Sequence, residues 1–298
     1  QGIFANFRNV LDTTRVKLPF GIAQIGKSFR NEVTTKAFTF RTREFEQAEL
    51  EFFCEPGTDE QWYEHWKEFR FKWYTDLGIK KENLRFRDHQ PDELAHYAKK
   101  AVDIEYEFPF GWQEIEGIHH RGNWDLTRHQ QYSGHDYRYF DENTKEKFIP
   151  NVIETSVGLD RTFFVLFCNA YQEITGGRSK TTETNKKKEI VLRLSKQMSP
   201  IKIAVLPLAK KEKITKLAKK IFDSLLPHYV CQYDESSSIG RRYRRQDEIG
   251  TPYCLTIDFD SLTDKSATIR DRDTMKQERI LIKEIIPYLQ NKFNDEPS

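Results

Sequence analysis

Four side chains between residues 30 and 49 combine types and spacings that suit a charged ligand. Arg30 offers a planar guanidinium, which can bind a phosphate or a carboxylate by two-point contact. Arg41, Phe45 and Glu49 follow at intervals of four residues. Residues four apart in a strand lie on one face, so the segment predicts a surface for a phosphate, a purine ring and an ammonium. Ordinary cross-strand ion pairs in a charge-rich segment are the alternative interpretation.

A second candidate segment runs from Glu154 to Arg161. Gly158 has no side chain, which lets a ligand approach the backbone, and Arg161 begins the helix predicted after it. This pattern is weak by itself and gains weight only beside the first segment. His119 and His120 are adjacent, but neighbouring strand residues point to opposite faces, which argues against a shared metal ion.

The elements that must position these residues follow from the hydrophobic periodicity. We predict a helix within residues 1–19 that ends before Pro19. The next two strands form an antiparallel pair joined by a basic, mobile loop at residues 34–37. The further elements of this part are predicted as strands at 22–29, 39–53, 104–110, 112–118 and 152–156, and as helices at 58–77 and from 157 onward.

Two of these helices carry aromatic residues at helical spacing. The helix over 58–77 has an aromatic stripe, which we interpret as core rather than as a platform for base stacking. The stripe consists of Trp62, Trp66, Phe69 and Trp73. The apolar side of the helix from residue 157 is predicted at Phe164, Phe167, Cys168 and Tyr171.

A polar, basic and glycine-containing stretch separates two predicted domains. Residues 176–199 are assigned to a linker, since such composition is typical of exposed connections. Residues 1–175 form the first domain, with an insertion at about 56–103, and residues 200–298 form a small α/β domain. The second domain is predicted to contain strands at 201–207, 230–233, 253–259 and 267–270, and helices at 210–226 and 280–289.

Four arginines around Tyr243 form a candidate RNA-binding cluster in the second domain. Arginines with an interleaved aromatic residue suit phosphate contact and base stacking in single-stranded loops. A solvated basic face of a helix is the alternative. The four residues are Arg241, Arg242, Arg244 and Arg245.

The composition excludes some classes of function. Lys and Arg total 48 against 46 Asp and Glu, a formal net charge of +2, which does not indicate a dedicated nucleic-acid coat. No apolar run is long enough to cross a bilayer, so no membrane partner is expected. The four cysteines have neither C-x-x-C nor zinc-ligand spacing. We expect buried free thiols in a reducing cytoplasm, and no zinc.

The wording of several segments resembles one family. Residues 29–53, FRNEVTTKAFTFRTREFEQAELEFF, resemble motif 2 of the class II aminoacyl-tRNA synthetases, and in particular of the homodimeric glycyl type. Residues 154–161 resemble motif 3, although Thr155 stands where proline is common. The segment HHRGNWDL at 119–126 also departs from the usual wording. Further similar segments extend the resemblance over nearly the whole chain.

The resemblance implies a role for each matching residue. Arg30 would hold the α-phosphate, Arg41 and Arg161 the γ-phosphate, and Phe45 and Arg161 the two faces of adenine. Glu32 would lie near the adenine and the tRNA 3′ end. The implied ATP-binding residues are Arg30, Asn31, Glu32, Arg41, Phe45, Glu114, Ile115, Gly158 and Arg161, with Arg30 and Arg161 catalytic. The implied glycine-binding residues are Glu49, Arg121, Glu154 and Ser156.

The same resemblance implies a fold and a reaction. The fold class is α+β, an antiparallel catalytic sheet with flanking helices followed by a small α/β anticodon-binding domain. The expected partners are ATP with Mg²⁺ contacted by Glu114, glycine and tRNA(Gly), and the expected assembly is a homodimer. A non-catalytic, RNA-binding relative of a synthetase is the main alternative, and a prolyl or threonyl enzyme is the second. The first residues read as the interior of a domain, so a preceding section with motif 1 is expected.

Overall fold

The computed structural model describes residues 1–35, 39–178 and 188–294. Its contacts divide the chain into two units, Gln1–Val165 and Leu166–Ser298. The predicted loop tip at residues 36 and 37 lies outside the described residues. None of the helices in the described ranges is long and apolar enough to cross a membrane.

The first unit is built on a six-stranded antiparallel sheet in the order β1-β2-β8-β5-β4-β3. Its strands are β1 (Phe20–Phe29), β2 (Glu44–Cys54), β3 (Leu84–Asp88), β4 (Lys100–Phe108), β5 (Gly111–Gly122) and β8 (Asn151–Gly158), with a separate hairpin of β6 (Tyr139–Phe140) and β7 (Lys147–Phe148). Its helices are α1 (Gly2–Thr14), α2 (Asp59–Asp76), α3 (Trp124–Ser133) and the start of α4 (Leu159–Ala170).

The two faces of this sheet have different coverings. On one face, Phe53 of β2 packs in a buried cluster with Phe4 and Phe7 of α1. On the other face, Phe52 contacts the rings of Trp62 and Trp66 of α2. Side chains alternate along a strand. The odd-numbered residues of β2, which include Phe45, Glu49 and Glu51, therefore lie on the same face as Phe53.

The second unit contains a five-stranded mixed sheet between helices. The strands of this sheet are β11 (Ile203–Pro207), β12 (Cys231–Tyr233), β13 (Tyr253–Ile257), β14 (Ser266–Asp271) and β15 (Gln277–Leu281). A separate two-stranded sheet consists of β9 (Tyr171–Thr175) and β10 (Lys188–Leu192). Its helices are α5 (Glu212–Leu225), α6 (Ile239–Ile249), α7 (Ser261–Asp264) and α8 (Ile285–Asn294).

The order of this sheet is β12-β11-β13-β14-β15, with β11 parallel to both of its neighbours and the last two pairs antiparallel. Ile203 and Val205 pack with Ile214 of α5 in the larger core cluster. Ala204 and Leu206 form the smaller cluster on the opposite face. The predicted α/β architecture is therefore confirmed.

Several sequence-based boundaries are corrected by the structure. The second strand begins at Glu44 rather than at residue 39, so Arg41 precedes it. The last predicted helix, at 280–289, begins too early, because β15 was not recognised and extends to Leu281. Residues 188–192 of the predicted linker form β10, which pairs with β9.

The apolar faces of two helices also differ from the predictions. In α2, Tyr63 and Tyr74 are the buried aromatic residues, whereas Phe69 of the predicted stripe is 48% exposed. In α4, the buried positions include Val165 and Leu166. Of the positions predicted to face the core, Phe164 is half-buried, Cys168 is intermediate, Phe167 is exposed, and Tyr171 has left the helix for β9. All four cysteines are free, as predicted, but only two of them are fully buried, Cys54 and Cys254.

Two buried polar pairs fasten α2 to β5. Glu116 has no solvent exposure, and its carboxylate accepts two hydrogen bonds from Arg70, at 2.6 and 3.0 Å. His120 is equally buried, and its Nε2 lies 2.7 Å from a carboxylate oxygen of Asp59. The Nδ1 of His120 accepts from the backbone N–H of Gly122, so the ring is the neutral tautomer that donates to Asp59.

We predict that Glu116→Gln lowers the free energy of unfolding by about 3–5 kcal/mol, because Arg70 stays buried without its counter-charge. Urea unfolding followed by circular dichroism would measure the change. The matched control is Asp76→Asn, which breaks the exposed pair of Asp76 with Lys72 on the same helix. That change should cost less than about 0.5 kcal/mol. Equal effects of the two substitutions would contradict the assignment.

Candidate active site

A cavity of about 600 Å³ lies on the Phe53 face of the sheet in the first unit. Most residues predicted to bind ligand line it. These are Arg30, Glu32, Arg41, Phe45, Glu49, Glu114, Arg121, Glu154, Ser156, Gly158 and Arg161. Ile115 is the exception with a clear cause, because it is 1% exposed and packs in the sheet. Asn31 does not line the cavity either.

Basic and aromatic side chains form one part of the cavity. The guanidinium carbon of Arg30 lies 5.1 Å from the centre of the Phe45 ring. Arg161 lies 5.0 Å from the ring of Phe40 and donates hydrogen bonds to the backbone oxygens of Phe40 and Glu114, at 3.0 and 2.8 Å. Each arginine is thus oriented by its own ring, and two cations with flat faces are available to a planar, anionic ligand.

Arg41 reaches this part of the cavity from outside the strand. It lies within 3.3 Å of Glu32, which fixes the direction of its guanidinium. The backbone N–H of Arg30 bonds to the carbonyl of Arg43 at 2.9 Å and so holds the two chain segments together. Arg30 and Arg41 therefore both line the cavity, although residues 39–43 of the predicted strand lie outside β2.

Carboxylates and one guanidinium form the other part of the cavity. Glu51 lies opposite Glu154 in the β2–β8 register, and Glu49 lies opposite Ser156. The strand rises about 3.3 Å per residue, so Glu49 and Glu51 lie about 13 to 20 Å along β2 from Phe45. A ligand that extends along β2 from the arginines would reach the carboxylates with its other end.

Arg121 is the centre of the acidic part. Its guanidinium donates to both carboxylate oxygens of Asp125, at 2.7 and 2.9 Å, and also to Glu154. It also lies 3.8 Å from the ring centre of Tyr97. Arg121 and Glu154 are 7% and 6% exposed. Burial lowers the pKa of Arg121, but the hydrogen bonds to Asp125 and the charge of Glu154 outweigh it and raise that pKa above its ordinary value.

A hydroxyl at the floor of the cavity is held by a short hydrogen-bond chain. Ser28 of β1 donates to the side-chain oxygen of Gln47 at 2.9 Å. The amide of Gln47 donates in turn to the hydroxyl oxygen of Ser156. Because its lone pair is used in this way, the Ser156 hydroxyl proton remains free to point toward a ligand.

Two β-bulges in β5 decide which side chains enter the cavity. A register shift at Ile104 and Glu105 of the partner strand places Glu114 on the cavity face and Glu116 on the opposite face. A second shift, between His120 and Gly122, makes Arg121 the additional residue of the strand. Bulges redirect side chains beside functional sites in this way.

Burial perturbs several acidic groups and one histidine in the cavity. Burial and the charge of Glu154 raise the pKa of Glu49. The same two causes raise the pKa of Glu51 well above its ordinary value, and Oε2 of Glu51 has no hydrogen-bond partner in the part of the chain that the structure describes. Burial lowers the pKa of His119. Burial and the charge of Glu114 raise the pKa of Asp103.

Sequence reasoning missed five residues that these contacts single out. Four of them line the cavity, Phe40, Glu51, Tyr97 and His119, and the fifth, Asp125, is buried behind it as the partner of Arg121. Glu51 could have been found, since it is two residues from Glu49 and therefore on the same strand face. Asp125 lies four residues after Arg121, and this spacing could have suggested their ion pair. Tyr97 comes from a distant segment, and no spacing in the sequence relates it to Arg121.

Two glycine residues line the cavity, Gly117 and Gly158. A Cβ added to Gly117 would meet the ring of His119 at 2.7 Å, so the backbone there is closely approached from the cavity side. A Cβ added to Gly158 would make ordinary contact with Arg161, at 3.6 Å. Within residues 1–35, 39–178 and 188–294, no group of three or more His, Cys, Asp and Glu is arranged to hold a metal ion.

The arginine cluster of α6 is divided by the structure. Arg242 is 2% exposed and donates to the backbone oxygens of Pro207 and Asp234, at 2.6 and 3.1 Å. Arg245 is paired with the Asp234 carboxylate. Tyr243 is packed against the core of the second unit and bonds to Thr256, so its ring is not a stacking platform. Arg242, Tyr243 and Arg245 thus have partners within the domain, and Arg241 is the exposed member of the cluster.

Comparison with protein families agrees with this geometry. Residues 1–170 match the family described as tRNA synthetase class II core domain (G, H, P, S and T). Residues 202–292 match the family described as anticodon binding domain. Since the first match covers more than half of the chain, the chain belongs to the class II tRNA synthetase family.

Individual relatives narrow the class. The chain is 56% identical to glycine–tRNA ligase of Acetivibrio thermocellus over 99% of its length, and 55% identical to that of Ruminiclostridium cellulolyticum over 98%. It is 51% identical to glycine–tRNA ligase of Borrelia hermsii over 98%. It spans 62% of the length of the first two relatives and 65% of the third. The resemblance to the glycyl family is thereby confirmed.

We predict that Glu51→Gln makes the protein more stable relative to the unsubstituted chain as the pH rises. A carboxyl whose pKa is higher in the folded than in the unfolded state takes up a proton on folding. As the pH rises above the unfolded pKa, this uptake becomes less favourable, and the unsubstituted chain loses stability. From about pH 4.3 up to the folded pKa, the advantage of the substitution should grow by about 1.4 kcal/mol per pH unit. Urea unfolding at several pH values would measure it.

The matched control for Glu51 is Glu154→Gln. Glu154 is equally buried and adjacent, but it is paired with Arg121. Its substitution should destabilise the protein, because Arg121 loses a counter-charge. A pH-independent effect of Glu51→Gln would show that Glu51 is ionised in the folded protein.

Proposed function

We propose that this protein is a glycine–tRNA ligase, which activates glycine with ATP and transfers it to the 3′ end of tRNA(Gly). One observation carries the proposal: a single cavity contains arginines stacked on aromatic rings in one part and buried carboxylates in the other. The first part suits a nucleoside triphosphate, and the second suits an ammonium. The identity to glycine–tRNA ligases over nearly the whole chain supports the same reaction.

In this reaction, a carboxylate oxygen of glycine attacks the α-phosphorus of ATP in line with the leaving group. The bond from that phosphorus to the bridging oxygen breaks, and diphosphate leaves with the electron pair. A hydroxyl of the terminal tRNA ribose then attacks the glycyl carbonyl and releases AMP. The protein supplies position and charge rather than a nucleophile, with Arg30 and Arg161 beside the phosphates.

Arginine is suited to this task because the negative charge of the phosphates increases on their outer oxygens during the transfer. Arg30 is exposed to the cavity and has Phe45 as its ring partner. Arg161 is held by two carbonyl oxygens. A cation fixed before the reaction stabilises the charge without reorganisation.

Selectivity for glycine follows from crowding and charge. An ammonium near Glu49 and Glu154 would offset carboxylates that are costly to bury together. The side of the pocket formed by Gly117 and His119 is closely packed. Larger amino acids would be rejected by sterics, because their side chains would displace buried groups.

Magnesium is the metal implied by ATP. The ion usually binds through one or two carboxylates together with substrate phosphates and water. Glu114 fits that role, since it lines the cavity, is 52% exposed, and has Arg161 at 3.4 Å as its ion-pair partner. When bound with ATP, the ion would neutralise phosphate charge. Homodimeric assembly and a cytoplasmic location are further proposals from the resemblance.

We predict that Arg30→Ala lowers glycine-dependent ATP–diphosphate exchange by about 100- to 1,000-fold, as expected for the loss of one preorganised charge donor. The fold should be unaffected, because Arg30 is exposed. A matched control is Arg8→Ala on α1, where the exposed arginine pairs with Asp12. Near-normal exchange by folded Arg30→Ala protein would sink the assignment.

A second substitution tests the identity of the amino acid. Glu49→Gln should raise the KM for glycine by about 10- to 100-fold, the range for one hydrogen bond to a charged group. The KM for ATP should stay within about twofold, because Glu49 lies in the acidic part of the cavity. A parallel rise in both constants would mean that Glu49 supports the cavity as a whole and does not select glycine.

A further inference from the structure

Six lysines at α5 form an exposed basic surface in the second unit. Lys210 and Lys211 precede the helix, and the others project from it. The full set, named here the α5 lysine face, is Lys210, Lys211, Lys213, Lys216, Lys219 and Lys220. No ion pair within 4.0 Å is formed by any of them among the described residues. Their charge is therefore available to an external anion.

Helix stability does not account for this arrangement. Lys213 lies at the N-terminal end of α5, where the helix dipole disfavours a cation, and Asp223 lies near the C-terminal end, where it disfavours an anion. Lys216 has a like charge three or four residues away on both sides, at Lys213 and Lys220. Such like-charged pairs each cost a few tenths of a kcal/mol, and the opposite-charge spacings of Lys216 with Glu212 and of Lys219 with Asp223 offset part of that cost. A polyanionic partner would offset these costs.

We propose that the α5 lysine face binds the phosphate backbone of tRNA. This inference rests on the proposed function and adds the surface that engages the substrate. The helical rise places Lys213 and Lys220 about 10 Å apart along the helix axis. Lysine acts as a flexible point charge, which contacts phosphate without reading bases. The face therefore positions the RNA, independently of its sequence.

Two other partners fit this surface less well. The apolar side of α5 is buried in the core through Ile214, Ala218, Ile221 and Leu225. No apolar stripe of the helix is left to enter a bilayer, as an amphipathic membrane helix requires. Protein interfaces are depleted in lysine and centred on aromatic or aliphatic anchors, whereas this face has six lysines beside only two acidic residues, Glu212 and Asp223. RNA is the partner that matches dense, mobile positive charge.

The structure also explains why α5 rather than α6 is the basic surface. Two of the four arginines in α6 are used internally, Arg242 by backbone carbonyls and Arg245 by Asp234. Their charge is spent on holding the second unit together. Among the described residues the α5 lysines form no ion pair within 4.0 Å, and Lys219 has only a distant contact with the ring of Tyr233, at 5.9 Å.

The test uses the full chain with Lys213→Gln, Lys216→Gln and Lys220→Gln combined. Binding of tRNA(Gly) transcript would be measured by fluorescence anisotropy over a range of salt concentrations. We expect at least a tenfold weaker Kd at low salt, and a salt slope reduced by about 2, since each lost phosphate contact removes about 0.7 to 0.9. A non-cognate tRNA should lose affinity by the same factor.

The matched control replaces three exposed lysines elsewhere, Lys72→Gln, Lys276→Gln and Lys283→Gln. It changes the net charge equally, so a general charge effect would weaken both variants alike. Unchanged tRNA binding by the α5 variant, or equal losses in both variants, overturns the inference. Loss of binding to phosphatidylglycerol vesicles with unchanged tRNA binding would assign the face to a membrane and would also overturn it.

Failure of the inference is distinguishable from failure of the proposed function. Glycine-dependent ATP–diphosphate exchange takes place without tRNA and should be the same in the unsubstituted chain and in the α5 variant. If the chain catalyses the exchange but the α5 variant binds tRNA as well as the unsubstituted chain, the inference is wrong and the proposed function stands. If the chain binds tRNA through α5 but does not catalyse ATP–diphosphate exchange, the proposed function is wrong and the inference stands.

Discussion

The contact between Arg121 and two buried carboxylates is the constraint on which the first unit depends. Asp125 lies in the first turn of α3 and Glu154 lies in the middle of β8, so one guanidinium joins two elements at the bottom of the cavity. A buried charge without a partner is strongly destabilising. The bulge that makes Arg121 an additional residue in β5 and the position of α3 are therefore fixed together. The geometry of the cavity therefore depends on this contact.

The carboxylates around Arg121 carry more negative charge than the guanidinium neutralises. Glu49 and Glu51 face the same region as Glu154, and their burial together with this excess of negative charge raises their pKa values. A site of this kind is costly to the folded protein and is satisfied by a cationic ligand, a common relation between strain and function. The stability of the first unit and the affinity of this cavity for a cation thus depend on one electrostatic arrangement.

The two units use basic side chains in opposite ways. In the first unit, Arg30 and Arg161 are oriented by rings or carbonyl oxygens but keep charge for the cavity. In the second unit, buried Arg270 forms a two-point pair with Asp247, and Arg242 is enclosed among carbonyls. Clusters with the same composition therefore serve binding in one place and architecture in the other. Burial and partners distinguish them.

The sequence by itself determined the family and both fold classes, and most of the site residues predicted from it line the cavity, because motif spacing and strand alternation are local properties. Arg30, Phe45 and Glu49 could be placed on one surface in this way. Only the tertiary structure decided that Glu51 lies unpaired against Glu154 and that Arg242 is buried. Those facts depend on strand register, bulges and packing between distant segments. A long-range contact sets the environment of a charge, and no spacing within a segment encodes it.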